Sequence, residues 1–208
     1  MAGKRSSDEN PVRLSLRERN RLRTRRELLD AALEVFAQNG YGSATVENIA
    51  TSAGASKVTL YAYFPQGRDE LFCELYEEIN TELLERTSEI YAGDGDFATR
   101  VVAVTEALVE IAQRPLIGRF YSIDDPALDQ ALTPVRGHAS QVIAKLISAD
   151  LATALKAGVV KAKVSPDAVS ELLVGAMRAS LSDVAREKVG EAEIVAAIGA
   201  LVRGLCKS

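Results

Sequence analysis

Residues 45–64 read "TVENIATSAGASKVTLYAYF". Thr45 stands where an N-cap belongs, and Val46, Ile49, Ala50 and Ala53 follow at the i, i+3, i+4, i+7 spacing of one helical stripe. Gly54 closes that helix, Ala55 bridges, and Ser56 can cap a second one. In the second, Leu60 and Phe64 lie four apart on one face, surrounded by Lys57, Thr59, Tyr61 and Tyr63. Two short helices joined by a turn containing glycine predict a helix-turn-helix. In such a motif Leu60 and Phe64 pack inward while the opposite face enters the major groove of duplex DNA. There a lysine neutralises phosphate or reaches guanine, and hydroxyls donate to phosphate oxygens. The competing reading is a small helical subdomain whose aromatic surface serves protein contacts.

Upstream, the pattern becomes helical from Arg21. Leu28, Ala32, Val35 and Phe36 share a face, and "NGYG" ends it with Gly40 as C-cap. Residues 1 to about 16 are polar and without period, which predicts disorder. Net charge is −4, but residues 1–26 hold nine Lys or Arg against three acids, leaving 16 basic and 26 acidic residues for the remainder. A basic arm on an acidic body suits contact with a polyanion, although a solvated tail would carry the same charges. Arg25 and Arg26, the arm's last charges, are candidate DNA contacts beside the reading head.

Downstream, "RDELFCELYEEINTELLERTSEIYAG" places Leu71, Leu75, Ile79, Leu83 and Ile90 on one stripe. "DFATRVVAVTEALVEIAQR" follows and stops at Pro115, then comes "LIGRFYSI", expected as a short irregular connector. Asp125-Pro126, Thr133-Pro134 and Ser165-Pro166 each put a capping side chain before a proline, the chemistry of a helix start. Gly158 is expected to end the helix opened at Pro134. The last two helices are expected over Pro166 to Lys188 and Glu191 to Leu205. No segment alternates as a strand does, so the predicted class is all-α.

The 208 residues suffice for one or two domains, and 47% apolar with 26% charged residues is ordinary for a globular chain. No apolar run is long enough to cross a membrane and the N-terminus carries no signal-peptide core, so the expected location is cytoplasmic. Cys73 and Cys206 are expected as free thiols. The single histidine, His138, has no partner at metal-ligand or triad spacing. "GDGDF" resembles a calcium loop but fails, because the twelfth position from Asp94 is Thr105 where a bidentate glutamate is needed. No enzyme, cofactor or metal site is expected.

The stretch "AALEVFAQNGYGSATVENIATSAGASKVTLYAYF" resembles the TetR family of bacterial repressors in its Gly-Tyr turn, capping Thr, Ile-Ala, Ala-Gly and closing Tyr-x-Tyr-Phe. The likeness covers about residues 22 to 75. Two features depart from the pattern. "FPQGRDEL" places Arg68 and Leu71 four and seven residues after Phe64, one more than is usual, and position 58 is Val where small residues are common. An apolar side chain there suits a thymine methyl.

The resemblance implies a homodimer whose two recognition helices, roughly 34 Å apart, read a palindromic operator. It makes Arg25, Arg26, Thr45, Ser56, Lys57, Val58, Thr59, Tyr61, Tyr63 and Arg68 the expected DNA contacts. It also implies a dimer interface on the last two helices, with Leu172, Gly175, Ala176, Ala179, Ile194, Ala197, Ile198 and Leu201 as its expected residues. The same residues would equally serve an intramolecular core.

The expected division is a disordered basic arm (1–20), a DNA-binding domain (21–66) and a helical regulatory and dimerisation domain (67–208). Release by a small, largely apolar effector needs a cavity in the last of these. Tyr91, Leu116, Ile117, Phe120, Tyr121, Val142 and Met177 are its candidate lining. Phe120 and Tyr121 either line such a cavity or plug the core. The alternative is a ligand-independent helical DNA-binding protein controlled by a protein partner or by abundance.

Overall fold

The structure, a computed structural model, describes residues 14–206 apart from 124, 127, 129, 130, 133, 134 and 136. Among the described residues it is built from nine helices: α1 (Leu16–Ser43), α2 (Val46–Ser52), α3 (Lys57–Tyr63), α4 (Arg68–Ala92), α5 (Phe97–Gln113), α6 (Pro115–Tyr121), α7 (His138–Lys156), α8 (Pro166–Ala185) and α9 (Glu191–Leu205). The only extended pairing among them is an isolated bridge between Val160 and Cys206. The all-α expectation is met.

Three local expectations change. The first helix begins at Leu16, not Arg21. The Ser15 hydroxyl accepts from the Glu18 amide at 3.2 Å, and the Glu18 carboxylate accepts from the Ser15 amide at 2.8 Å. This is a capping box, spelled "SLRE" in the sequence. The basic residues from Arg17 to Arg26 therefore ride on a helix; residues 1–13 of the expected arm lie outside the described residues. Second, "LIGRFYSI" is not irregular, because Pro115 in first position starts the helix α6. Third, α7 begins at His138, while the Thr133-Pro134 start lies outside the described residues. The Ser165 cap is present, accepting from the Ala168 amide at 3.4 Å with Pro166 at the first helical position.

The head of the molecule is α1 to α3. The first helix leaves helical geometry at Gly40, whose φ of 75° favours glycine, and Tyr41 turns back into the core. Thr45 and Ser56 cap α2 and α3, accepting from the Asn48 amide at 3.1 Å and the Thr59 amide at 3.0 Å. The extra residue between Phe64 and α4 is accommodated by Gly67. Its φ is 66°, and a Cβ there would lie 3.2 Å from Val46 and 3.3 Å from Tyr61.

The fourth helix runs from the head into the second helical layer. Leu71, Phe72 and Leu75 at its start are buried, as are Ile79 and Leu83 further along. Phe72 stacks on Phe120 of α6 at 4.3 Å between ring centroids and meets Phe36 and Tyr41 edge-on at 5.0 and 5.1 Å. One aromatic cluster thus ties α1, α4 and α6. Beyond it α5, α7 and α8 close around α4, and α9 packs on α5.

Candidate nucleic-acid interface and effector cavity

The capped α2 and α3 place the expected reading face as a helix-turn-helix requires. Leu60 and Phe64 are fully buried, and Val58, almost diametrically opposite Leu60 around the helix, is 79% exposed. Tyr61 is 48% exposed beside it, whereas Tyr63 is half-buried against the core. Lys57 is exposed and pairs with Glu47 of α2, with about half of each side chain in solvent. A pair so solvated is worth about 0–1 kcal/mol, so phosphate can replace the carboxylate. The Ser56 and Thr59 hydroxyls bond to each other at 2.9 Å, and Thr45 keeps its capping role.

Three arginines expected on this face are tied within the chain. Arg25 forms a two-pronged pair with Glu74 of α4, and its guanidinium lies 4.9 Å from the Phe64 ring centroid. Arg26 bonds Asp30 and Glu78, both at 2.8 Å. Arg68 donates to the carbonyls of Tyr41, Gly42 and Ala44 at 3.2–3.4 Å and sits over the Tyr41 ring. Each cation lies close to a carboxylate or to carbonyls freed at the kinked end of α1, so its charge knits α1 to α4. Spacing alone could not place Glu74 and Glu78 opposite Arg25 and Arg26.

The interface gains residues that sequence reasoning left in an irregular arm. The N-terminal turns of α1 project beside the end of α3 and leave a cleft of about 850 Å³, lined by Arg17, Asn20, Arg21, Thr24, Ala62 and Tyr63 among others. Arg17 and Arg21 share one helix face, are exposed and make no ion pair among the described residues. The capping box at Ser15 was the signal that could have found them.

A cavity of about 60 Å³ lies among α4, α5, α7 and α8, walled by Ile79, Leu83, Val104, Leu108, Ile111, Ile143, Val174 and Met177. Of the seven expected lining residues it takes Tyr121 and Met177. Tyr121 donates to the Asn80 side-chain oxygen at 2.9 Å and stacks on Tyr76. Burial, with Tyr76 as the second cause, raises the Tyr121 pKa, so its hydroxyl stays a donor. Phe120 belongs to the aromatic cluster and borders an outer recess of about 330 Å³ instead. Leu116, Ile117 and Val142 are half-buried outside the cavity wall. On α7 the helical register turns Ile143 inward and Val142 aside. Tyr91 lies two turns beyond Leu83, beside the Arg100 and Asp150 pair.

The expected dimer residues divide in two. On α8, Leu172 is 73% exposed and Gly175, Ala176 and Ala179 are exposed with it; on α9, Ala197 and Leu201 are exposed, Leu201 to 63%. Ile198 is corrected: it is 4% exposed and packs with Val202 into the chain's own core, where α9 meets α5, and Ile194 lies partly buried beside it. No helix among the described residues is long and apolar enough to cross a membrane.

Residues 28–75 match the sequence profile of the bacterial regulatory proteins of the tetR family. Over 63 residues the chain is 36% identical to the fatty acid metabolism regulator protein of Bacillus subtilis, a match covering 30% of this chain and 32% of that one. The likeness in shape extends much further. A TetR-like transcriptional regulator from Rhodococcus superposes with a TM-score of 0.70 at 21% identity, over 88% of this chain and 95% of its own. NalD, the secondary repressor of the MexAB-OprM multidrug efflux pump in Pseudomonas aeruginosa, gives 0.72 at 20% identity, over 91% and 99%.

Proposed function

The chain belongs to the tetR family of bacterial regulatory proteins, and on that footing we propose that it is a cytoplasmic, homodimeric repressor. It reads a palindromic operator and is released from it by a small, largely apolar effector. The observation that carries this is the double duty of α4. Phe72 and Leu75 pack into the head, and Tyr76, Ile79, Asn80 and Leu83, on the next turns of the same rod, wall the cavity. A ligand that widens the cavity moves a helix whose first turns hold the reading head. Two heads spaced for one turn of DNA tolerate little change in separation, so differential affinity of a few kcal/mol is enough to empty the operator. By linkage the effector binds the free dimer more tightly than the DNA-bound one.

In this function residues 16–66 engage DNA and residues 67–206 sense and dimerise. Lys57 and the hydroxyls of Thr45, Ser56, Thr59, Tyr61 and Tyr63 supply groove and phosphate contacts, and the cleft between α1 and α3 seats a backbone segment on Arg17 and Arg21. Val58 reads a thymine methyl. Among the relatives in sequence and shape are proteins named as a metabolic regulator and a repressor, which agrees with this function.

The experiment begins with selection from random duplexes, which should enrich a palindrome. Replacing each thymine of that site by deoxyuridine should identify one position per half-site where the lost methyl costs about 1 kcal/mol with wild-type protein and nothing with Val58→Ala. An unenriched pool sinks sequence-specific binding. A palindrome without a coupled methyl removes only the role of Val58. Lys57→Ala should weaken the selected site several-fold at fixed salt. Arg17→Ala with Arg21→Ala should instead lower affinity for all sequences alike and reduce the slope of log affinity on log salt by about 2; an unaltered slope would leave the cleft without a phosphate.

A further inference from the structure

The cavity and the outer recess share five lining residues: Tyr76, Tyr121, Ser140, Arg178 and Leu181. These side chains form the ring through which the inner space communicates with the outer. The inner wall is hydrocarbon for most of its area. Its polar groups fall into two kinds. Asn80 and Tyr121 already bond to each other. The Ser140 hydroxyl and the Arg178 guanidinium make no hydrogen bond or ion pair among the described residues. Arg178 is exposed on the flank of α8, next to the buried Met177 and a turn from Leu181, so its charge stands where the ring meets solvent. An unpaired cation at the rim of an apolar pocket selects for charge at one end of the ligand. The guanidinium fork bonds a carboxylate in two places, a neutral head forgoes that, and a cationic head is repelled.

We propose that the effector is an amphiphile with a slender apolar body and a single anionic head. The body enters among Ile79, Leu83, Ile143 and Met177, and the head rests on Arg178 with the Ser140 hydroxyl as a second donor. This rests on the effector-released function above and adds to it the chemical class of the ligand. Tyr76 and Tyr121, flat and stacked at 5.5 Å, shape the passage between the two spaces. The inner cavity is small for a whole chain, so entry spreads α4 from α8, which is the displacement that the release mechanism needs.

Four probes of equal chain length test the class: octanoate, octyl sulfate, octan-1-ol and octyltrimethylammonium, titrated calorimetrically into the full chain at pH 7.5. Each is also added to the protein bound to its selected operator. Octanoate should bind at least about tenfold more tightly than the alcohol, as a charge-assisted pair predicts, and the cation most weakly. Arg178→Gln should remove that preference, lowering octanoate affinity about tenfold while the alcohol stays within twofold; circular dichroism checks its fold. Octyl sulfate equal to octanoate assigns the contact to charge; octanoate alone assigns it to the planar fork. Either supports the anionic head. Equal binding of alcohol and octanoate, or indifference to Arg178→Gln, overturns the head and leaves effector release standing. Tight octanoate binding without release from DNA keeps the ligand class and overturns the release. No binding by any probe overturns both.

Discussion

Leu201→Glu and Leu172→Glu are each expected to give a folded monomer that no longer holds an operator. Both side chains project from the fold, 63% and 73% exposed, so a charge on either meets water in the monomer and leaves the core untouched. Around them Gly175, Ala176, Ala179 and Ala197 are exposed on the same two helices, and small residues let helices of a second copy approach closely. In an isologous contact each substitution appears twice across the axis, placing two carboxylates in an apolar seam. With one head per molecule, affinity should fall by on the order of 10³, toward that of non-specific binding at physiological salt. Sedimentation and operator titration on the same sample check both halves. A dimer that survives either charge would move the interface off α8 and α9. Ile198→Glu is no substitute, because it buries an unpaired carboxylate between α9 and α5 and unfolds the chain before it separates two of them.

The expected and observed residues differ for a consistent physical reason. What was legible in the sequence was local: the Thr45 and Ser56 caps, the Leu60 and Phe64 stripe and the stop at Gly54 depend on neighbours within about one helical turn. The face opposite that stripe followed from geometry, and Val58 stands on it. The rest depends on which helix lies against which. Arg25 and Arg26 read as free cations until α4 brings Glu74 and Glu78 across from them. The cavity wall needs four helices in register, and a misjudged rotation of about 100° on α7 exchanges Ile143 for Val142. Arg17 and Arg21 are the exception. Their helix was spelled by Ser15 and Glu18, but the density of charge made the segment read as disordered. A capping box acts at the level of single hydrogen bonds and outweighs composition there.

The aromatic cluster carries the largest single-residue effect on stability and connects it to the signal. Phe72 is 2% exposed and touches rings from both the head and α6. Phe72→Ala removes a ring that its neighbours cannot replace without moving backbone, so the variant should lose about 3–5 kcal/mol. For a chain of this size that lowers the melting temperature by roughly 10 °C and still leaves it folded at 25 °C, given a total stability of about 5–15 kcal/mol. Leu151→Ala, on α7 and likewise buried, should cost a comparable few kcal/mol. The two should part company in the ratio of operator affinity without and with saturating octanoate. Leu151 touches no part of that cluster, so its loss lowers stability and keeps the ratio. Phe72 is where α4 grips α1 and α6 together, so its loss lets the far end of α4 move while the head stays where it was, and the ratio should shrink toward one. Equal ratios in the two variants would show that the cluster stiffens the fold without transmitting the movement.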